Sequence, residues 1–426
     1  MIELERPPIS ENAILVRLAL PSDSEDEIEE SLGEMKRLAQ TAGARVVCTF
    51  VQRRPQPCPA TLIGAGKVRQ IKIACEEYDA DLVLVDSDLS PTQGSKLQEA
   101  LDTKVLDRTQ LILDIFAQRA KTNEGKLQVE LAQLQYTLPR LTGRGVEMMR
   151  LGAGIGTRGP GEQKLEVDRR VIRRRLAHLQ GEIEAIRRHR RLQRKQRNES
   201  SVGTVALVGY TNAGKSSLLN ALTNADTFVE DKLFATLDPC SRKCPLPGGG
   251  HIILTDTVGF IRKLPHSLVA AFRATLEEVV EADVILLVAD ASHEGVLDHV
   301  KAVNEVLEEI EIGAAPIVRV FNKIDAANSA FVEELLAGPG ECLAVSAHTG
   351  AGLEPLLVMI ERTLSLTRSR VTLRIPQSDA GVVSRVYQQG RVHEQSYDGD
   401  SILLDAEIDT ALKGIVGSYI ERATAS

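Results

Sequence analysis

The chain has 426 residues, is 43% hydrophobic and carries a net charge of −8; by length it makes about three domains, each with enough apolar matter for a core. Its longest aliphatic run, residues 284–289 (VILLVA), is far too short to cross a bilayer, and the first residues show neither a secretory signal nor a transit pattern. These features exclude a helical membrane protein, a disordered chain and a secreted disulfide scaffold; the expectation is a cytoplasmic protein, free or peripherally associated with membranes, that keeps its six cysteines as thiols.

Residues 1–107 alternate short β-type runs (13–18, 45–51, 81–86, 104–107) with amphipathic helical stretches. Strands separated by helix-length segments predict βαβ units and a small α/β subdomain with a parallel sheet. Within it residues 62–67 (LIGAGK) are glycine-rich and end in lysine, but lack the gap and the following hydroxyl of a phosphate loop. A tight turn into a helix is the better reading.

From residue 108 to about 200 the period changes. Leu127, Leu131, Leu134 and Leu138 are spaced 4, 3, 4, and Leu165, Ile172, Leu176, Leu179, Ile183 and Ile186 are spaced 7, 4, 3, 4, 3; both are seams of packed helices and predict an antiparallel hairpin. Between them residues 143–161 hold seven glycines in nineteen positions, the expected tip. Residues 140–197 carry 17 Lys and Arg against 6 Asp and Glu, a local +11 in an acidic chain, which suits guidance to a polyanion. Arg144, Arg150 and Arg158 in the tip face a single acid, Glu147, and are candidate RNA contacts: glycines allow close backbone approach and arginines meet phosphates. The plainer readings are a solvated helical face and a linker.

Residues 201–367 return to alternating strands and helices. A buried strand, 204–208, runs into Gly209, Tyr210, Thr211, Asn212, Ala213, Gly214, Lys215 and Ser216, the GxxxxGK[ST] pattern in its strand, loop, helix context. Backbone N–H groups there wrap phosphates, Lys215 reaches the outer phosphate oxygens and the Ser216 hydroxyl binds Mg²⁺, with Ser217 next on the helix. Asp256, Thr257, Val258 and Gly259 end a second strand, placing Asp256 to hold a magnesium water and the Gly259 N–H to sense a γ-phosphate. Asn322, Lys323, Ile324 and Asp325 end a third, and Ser346, Ala347 and His348 a fourth, all at strand carboxyl ends where open α/β sheets bind ligands. The Asp325 carboxylate only accepts hydrogen bonds, matching the adjacent N1–H and amine donors of guanine; adenine would leave it facing an acceptor. The expected nucleotide is therefore GTP or GDP, with Mg²⁺. Cys240, Cys244 and His251 lack a fourth ligand at finger spacing, so free thiols are expected rather than zinc.

Residues 368–426 form a small α/β tail, with 372–375, 384–387 and 401–408 as its short segments and a helix running to about Arg422. The expected fold is thus α/β throughout: an α/β subdomain (1–107) plus helical hairpin (108–200), a P-loop domain with a mixed, mostly parallel sheet (201–367) and a small C-terminal α/β domain (368–426).

Together the four motifs resemble the translation-factor-related class of P-loop GTPases, and residues 108–120, 124–133 and 159–163, the loop GYTNAGKS and the run DTVGFIR with LPHS resemble the HflX family within it. The resemblance implies that Phe234, Ala235, Thr236, Leu237 and Asp238 form the first switch, with Thr236 a second magnesium ligand, and that Lys215, Thr236 and Gly259 act in hydrolysis. It further implies binding to rRNA of the large ribosomal subunit near the peptidyl-transferase region and separation of stalled or hibernating ribosomes under stress; a monomer is expected, though the sequence does not itself show the oligomeric state. Two other functions stay open: a GTPase assisting ribosome assembly, and a nucleotide-switched protein scaffold that never touches RNA. Phe260 stands where Ras-like enzymes place a water-orienting glutamine, so turnover is expected to be slow alone and faster with a partner.

Overall fold

The computed structural model describes residues 11–142, 160–198, 202–223, 233–262, 276–310, 312, 315–366 and 368–423. These group into two compact units, one from the described residues of 1–184 and 231–237, the other from those of 185–230, 238–263 and 273–426. Arg144, Arg150 and Arg158 lie outside the described residues.

The first unit is built on four parallel strands, β1 (Glu11–Ala19), β2 (Ala44–Arg53), β3 (Leu82–Val85) and β4 (Lys104–Asp107), in the order β2-β1-β3-β4. A central strand covered on both faces must be apolar at successive positions, and Ala13, Ile14, Leu15 and Val16 are all buried. Helix α1 (Glu25–Ala42) packs with α4 (Arg108–Arg119), and α2 (Ala65–Glu77) with α3 (Pro91–Leu101). Local sequence sets their starts: Ser24 with Glu27, and Ser90 with Gln93, close capping boxes. A tight turn closes at the start of the 62–67 stretch, across residues 58–62, and leads directly into a helix. Leu62 has φ +61° and exchanges backbone hydrogen bonds with Cys58, α2 follows at Ala65, and the Lys67 ammonium sits 5.5 Å from the Phe50 ring centre.

Helix α5 (Asn123–Thr137) continues through a 3₁₀ turn, Leu138–Thr142, and the chain reappears as the 39-residue helix α6 (Pro160–Asn198). Along its seam Leu179 and Ile183 are buried, whereas Arg170, Arg173, Arg174 and Arg188 are exposed. Arg175 of α6 grips Glu130 of α5 with two hydrogen bonds of 2.7 Å. Arg140, the first cation of the basic stretch, is spent on holding the fold. It donates to the Leu89 carbonyl (2.7 Å) and Asp107 (3.1 Å) and lies 3.4 Å over the Tyr136 ring.

In the second unit the strands are β5 (Thr204–Gly209), β6 (Cys240–Pro245), β7 (His251–Asp256), β8 (Val284–Asp290), β9 (Ile317–Asn322) and β10 (Cys342–Ala344), in the order β10-β9-β8-β5-β7-β6. All pairs are parallel except the β6–β7 hairpin. Helices α7 (Lys215–Thr223), α8 (Val296–Glu309), α9 (Ser329–Leu336) and α10 (Leu353–Leu366) complete this layer. Cys240 and Cys244 lie on β6 as free thiols. Burial raises the Cys244 pKa, and its thiol donates to the Leu222 carbonyl, a core role that explains the residue without a metal.

The C-terminal segment folds as β11 (Arg368–Pro376), α11 (Ala380–Gln389), β12 (Arg391–Asp398), β13 (Ser401–Asp409), α12 (Thr410–Val416) and β14 (Ile420–Ala423). Its antiparallel order β12-β13-β11-β14 is the split βαβ arrangement. Residues 384–387, given no element type by the sequence, belong to α11, whose Val382, Val383 and Val386 face the core at helical spacing. One sequence expectation changes here. The last helix stops at Val416, before Gly417, and the chain returns as β14 on the free side of β11. Among the described residues no helix is long and apolar enough to cross a membrane.

Candidate nucleotide site

The site is built at the carboxyl ends of the parallel strands of the second unit. β5 ends at Gly209 and α7 begins at Lys215, so the intervening loop turns its amides toward a helix N-terminus. Gly214 has φ +88°, and a Cβ there would lie 2.3 Å from the Asn322 Nδ2. Gly259 faces the same loop: a Cβ would fall 2.8 Å from the Thr211 Cα and 3.2 Å from the Lys215 Nζ. Only glycine leaves this cradle open.

Lys215 is buried and donates to the carbonyls of Gly209 (3.1 Å) and Tyr210 (2.9 Å). Burial pulls its pKa down to about 8, against the opposing charge of Asp256. An ammonium held out of water beside its own loop is ready to exchange carbonyl partners for phosphate oxygens. The Ser216 hydroxyl donates to Asp256 Oδ2 at 2.6 Å. This side-by-side pair of hard oxygen donors suits Mg²⁺, which keeps several waters and takes few protein ligands.

On the base side Asn322, 1% exposed, is the keystone. Its Nδ2 donates to the Ala213 carbonyl and its Oδ1 accepts from the Ala347 amide, both at 3.0 Å, joining the phosphate loop to the Ser346–Ala347 turn. Asp325 Oδ1 accepts from the Ser346 hydroxyl at 2.6 Å, and His348 Nδ1 stands 3.7 Å from Oδ2. The Ser346 hydrogen bond is the main reason the Asp325 pKa is lowered, so the group is an acceptor at neutral pH. Lys323, at φ +63°, reaches Asp290 at 2.6 Å. Asp290 was not among the expected residues; it ends β8 as Asp256 ends β7 and Asn322 ends β9, and the strand-end pattern could have found it.

Several of the expected residues also have a place in the framework. Thr257 is fully buried and donates to the Leu207 carbonyl (2.6 Å), and Val258 is buried beside it. Ile324 is tied through its amide to Val345 (3.3 Å). Phe234 belongs to the first unit, where it holds φ +53° and sets its buried ring edge-on to Phe116, centroids 4.8 Å apart; Thr236 and Leu237 lie in the same unit, Asp238 in the second. The Phe260 side chain is 2% exposed, while its backbone is clipped to the phosphate loop: its N–H donates to Gly209 (3.0 Å) and its carbonyl accepts from Thr211 (2.7 Å).

A mostly parallel sheet whose strand ends carry this loop, a magnesium-type Ser–Asp pair and a guanine-type Asn–Asp pair defines a P-loop GTPase. Family models match in order along the chain: a GTP-binding GTPase N-terminal region at residues 29–117, its middle region at 119–197, a 50S ribosome-binding GTPase domain at 204–323 and an HflX C-terminal domain at 333–413. The GTPase HflX of Caldanaerobacter subterraneus subsp. tengcongensis is 47% identical over 420 residues, covering 99% of this chain and 96% of that protein. The Escherichia coli GTPase HflX is 41% identical over 398 residues, 93% of each. Among solved structures, a GTP-binding protein from Sulfolobus solfataricus in complex with GDP matches 84% of this chain and 99% of its own, at 26% identity and a TM-score of 0.44. The chain belongs to the HflX family of GTPases; it binds guanine nucleotide and hydrolyses GTP.

Proposed function

We propose that this GTPase acts in the cytoplasm on the large ribosomal subunit and separates stalled or hibernating ribosomes. The observation that carries the proposal is the match of residues 204–323 to a 50S ribosome-binding GTPase domain. The exposed arginines of α6 support it, since an array of cations on a rigid helix suits an RNA backbone. In this reading residues 1–107 and 108–200 form the ribosome-facing region, with Arg144, Arg150 and Arg158 against rRNA, 201–367 the GTPase domain and 368–426 a C-terminal domain, in a monomer.

The roles at the site follow from donors and acceptors. Loop residues 209–217 hold the phosphates, Lys215 neutralises their charge, the Gly259 N–H reports the γ-phosphate, and Asp325 with Ser346, Ala347 and His348 reads the guanine. Ser216 and Thr236 would hold Mg²⁺ directly and Asp256 through water; that ion supplies charge neutralisation on the phosphates. Phe260 gives the attacking water no hydrogen bond, and its buried ring supports a site completed only when a partner orders the switches. Hydrolysis then resets the protein after its work.

Sedimentation of purified 70S particles with GTP, GDP and a non-hydrolysable analogue tests the proposal. Loss of the 70S peak with GTP or the analogue supports splitting; preference for immature subunits would favour assembly, and an unchanged profile a scaffold. Turnover by the isolated chain should be slow and rise at least about tenfold with large subunits; near one per second alone would mean that the chain carries its own water-positioning group.

A further inference from the structure

The side chain of Tyr210 is committed to the interior of the second unit. It is 5% exposed and stacks on His299 of α8, centroids 3.8 Å apart and planes within 10°. His299 is itself buried, and His293 leans on its ring at 4.5 Å. His293 is fixed in turn, its Nδ1 accepting from the Gly295 amide at 3.0 Å. The Tyr210 hydroxyl then accepts the backbone N–H of Arg262 at 2.8 Å. With the two backbone bonds of Phe260 to Gly209 and Thr211, this makes three hydrogen bonds that zip residues 260–262 along the phosphate loop. The segment they hold begins immediately after Gly259, whose Cα environment is set by Thr211 and Lys215.

We infer that Tyr210 is a positioning residue for the γ-phosphate sensor: braced by His299, its hydroxyl fixes the backbone that follows Gly259 and so presets where the Gly259 N–H points. The inference rests on the reading of Gly259 as that sensor. The chemistry makes a selective demand. GDP needs the loop amides and Lys215 but has no group for the Gly259 N–H, whereas a γ-phosphate does. Loosening the segment therefore weakens GTP and spares GDP. The zip also keeps the Phe260 ring in the core, because it holds that residue's backbone.

The test measures affinities for GDP and for a non-hydrolysable GTP analogue, both with Mg²⁺, by the full-length protein and two variants. Tyr210→Phe keeps the ring and its stack on His299 and removes only the hydroxyl. The preference for the analogue over GDP should fall about two- to tenfold, the worth of one backbone hydrogen bond to a neutral acceptor. GDP affinity is the internal reference: because position 210 lies in the phosphate loop it can fall too, and the expected result is a smaller fall for GDP than for the analogue. His299→Leu removes the brace while keeping an apolar neighbour and should shift the ratio in the same direction with the hydroxyl still present. An unchanged ratio in both variants, or an equal loss of both nucleotides, overturns the inference. Wild-type protein that fails to prefer guanine nucleotides, or a Gly259→Pro variant that keeps the full analogue-to-GDP ratio, would overturn the parent reading of the site instead.

Discussion

The first unit hides a charge cluster whose removal can be costed from its geometry. Asp86, just past β3, accepts from Arg17, from Ser31 at 2.6 Å and from Arg108 at 3.0 Å. Arg108 also pairs with Glu34, and Arg17 with Asp23 at 3.2 Å. The side chains of Arg17, Arg108 and Asp86 are 3%, 3% and 1% exposed, so water can replace nothing that is lost. Removing one partner of a buried pair costs about 3–5 kcal/mol because the other charge stays behind. Asp86→Ala strands two guanidiniums at once, each keeping one acid, and we expect about 5 kcal/mol, a large part of the about 5–15 kcal/mol that stabilises a domain. For a unit of this size that is a fall of about 10–20 °C in Tm. Replacing Arg17 and Arg108 by Met together with Asp86 and Glu34 by Leu and Asp23, the other partner of Arg17, by Asn should cost far less, since no buried charge is then orphaned. Thermal unfolding of the full chain, with hydrogen exchange at β1 and β3 amides to locate the effect, decides the matter. A cost below about 1 kcal/mol for Asp86→Ala would refute the reasoning, because that is the worth of an exposed pair.

Asp325→Asn should shift preference from guanine toward xanthine nucleotides, whose C2 carbonyl wants a donor, by at least about tenfold in competition binding; a variant still preferring GTP would show that Asp325 does not read the base. Because Lys215 starts from a pKa of about 8 and phosphates raise it, binding takes up a proton where the free lysine has lost one. GDP affinity should thus be flat below that pH and fall by up to about tenfold per unit above it, as titration between about pH 7 and 9 would reveal. Reversal of Arg144, Arg150 and Arg158 to Glu should abolish ribosome binding and its salt dependence while GTP affinity holds, and unchanged cosedimentation would remove the RNA contact from the tip.

The candidate nucleotide site could be proposed from sequence because its chemistry is local. GYTNAGKS, DTVG, NKID and SAH each follow a strand, and backbone geometry at a strand end leaves few ways to place a lysine, a serine or a carboxylate. The α/β alternation and the helical seams were likewise visible, since periodicity records which face is buried. Near the C-terminus the sequence left more open: β-branched residues at 382–386 suit a strand as well as a helix, only the core they share with β11 and β13 selects α11, and the last helix ends at Val416 rather than near Arg422. What no spacing could reveal were partnerships between distant residues. Asp86 with Arg17 and Arg108, Phe116 against Phe234, and Tyr210 stacked on His299 are chosen when packing brings elements together. Sequence alone determined which groups are candidates to meet a guanine nucleotide; the tertiary structure decided which side chains are buried and which partners each of them holds, because burial and hydrogen-bond partners belong to the packed chain and not to any segment of it.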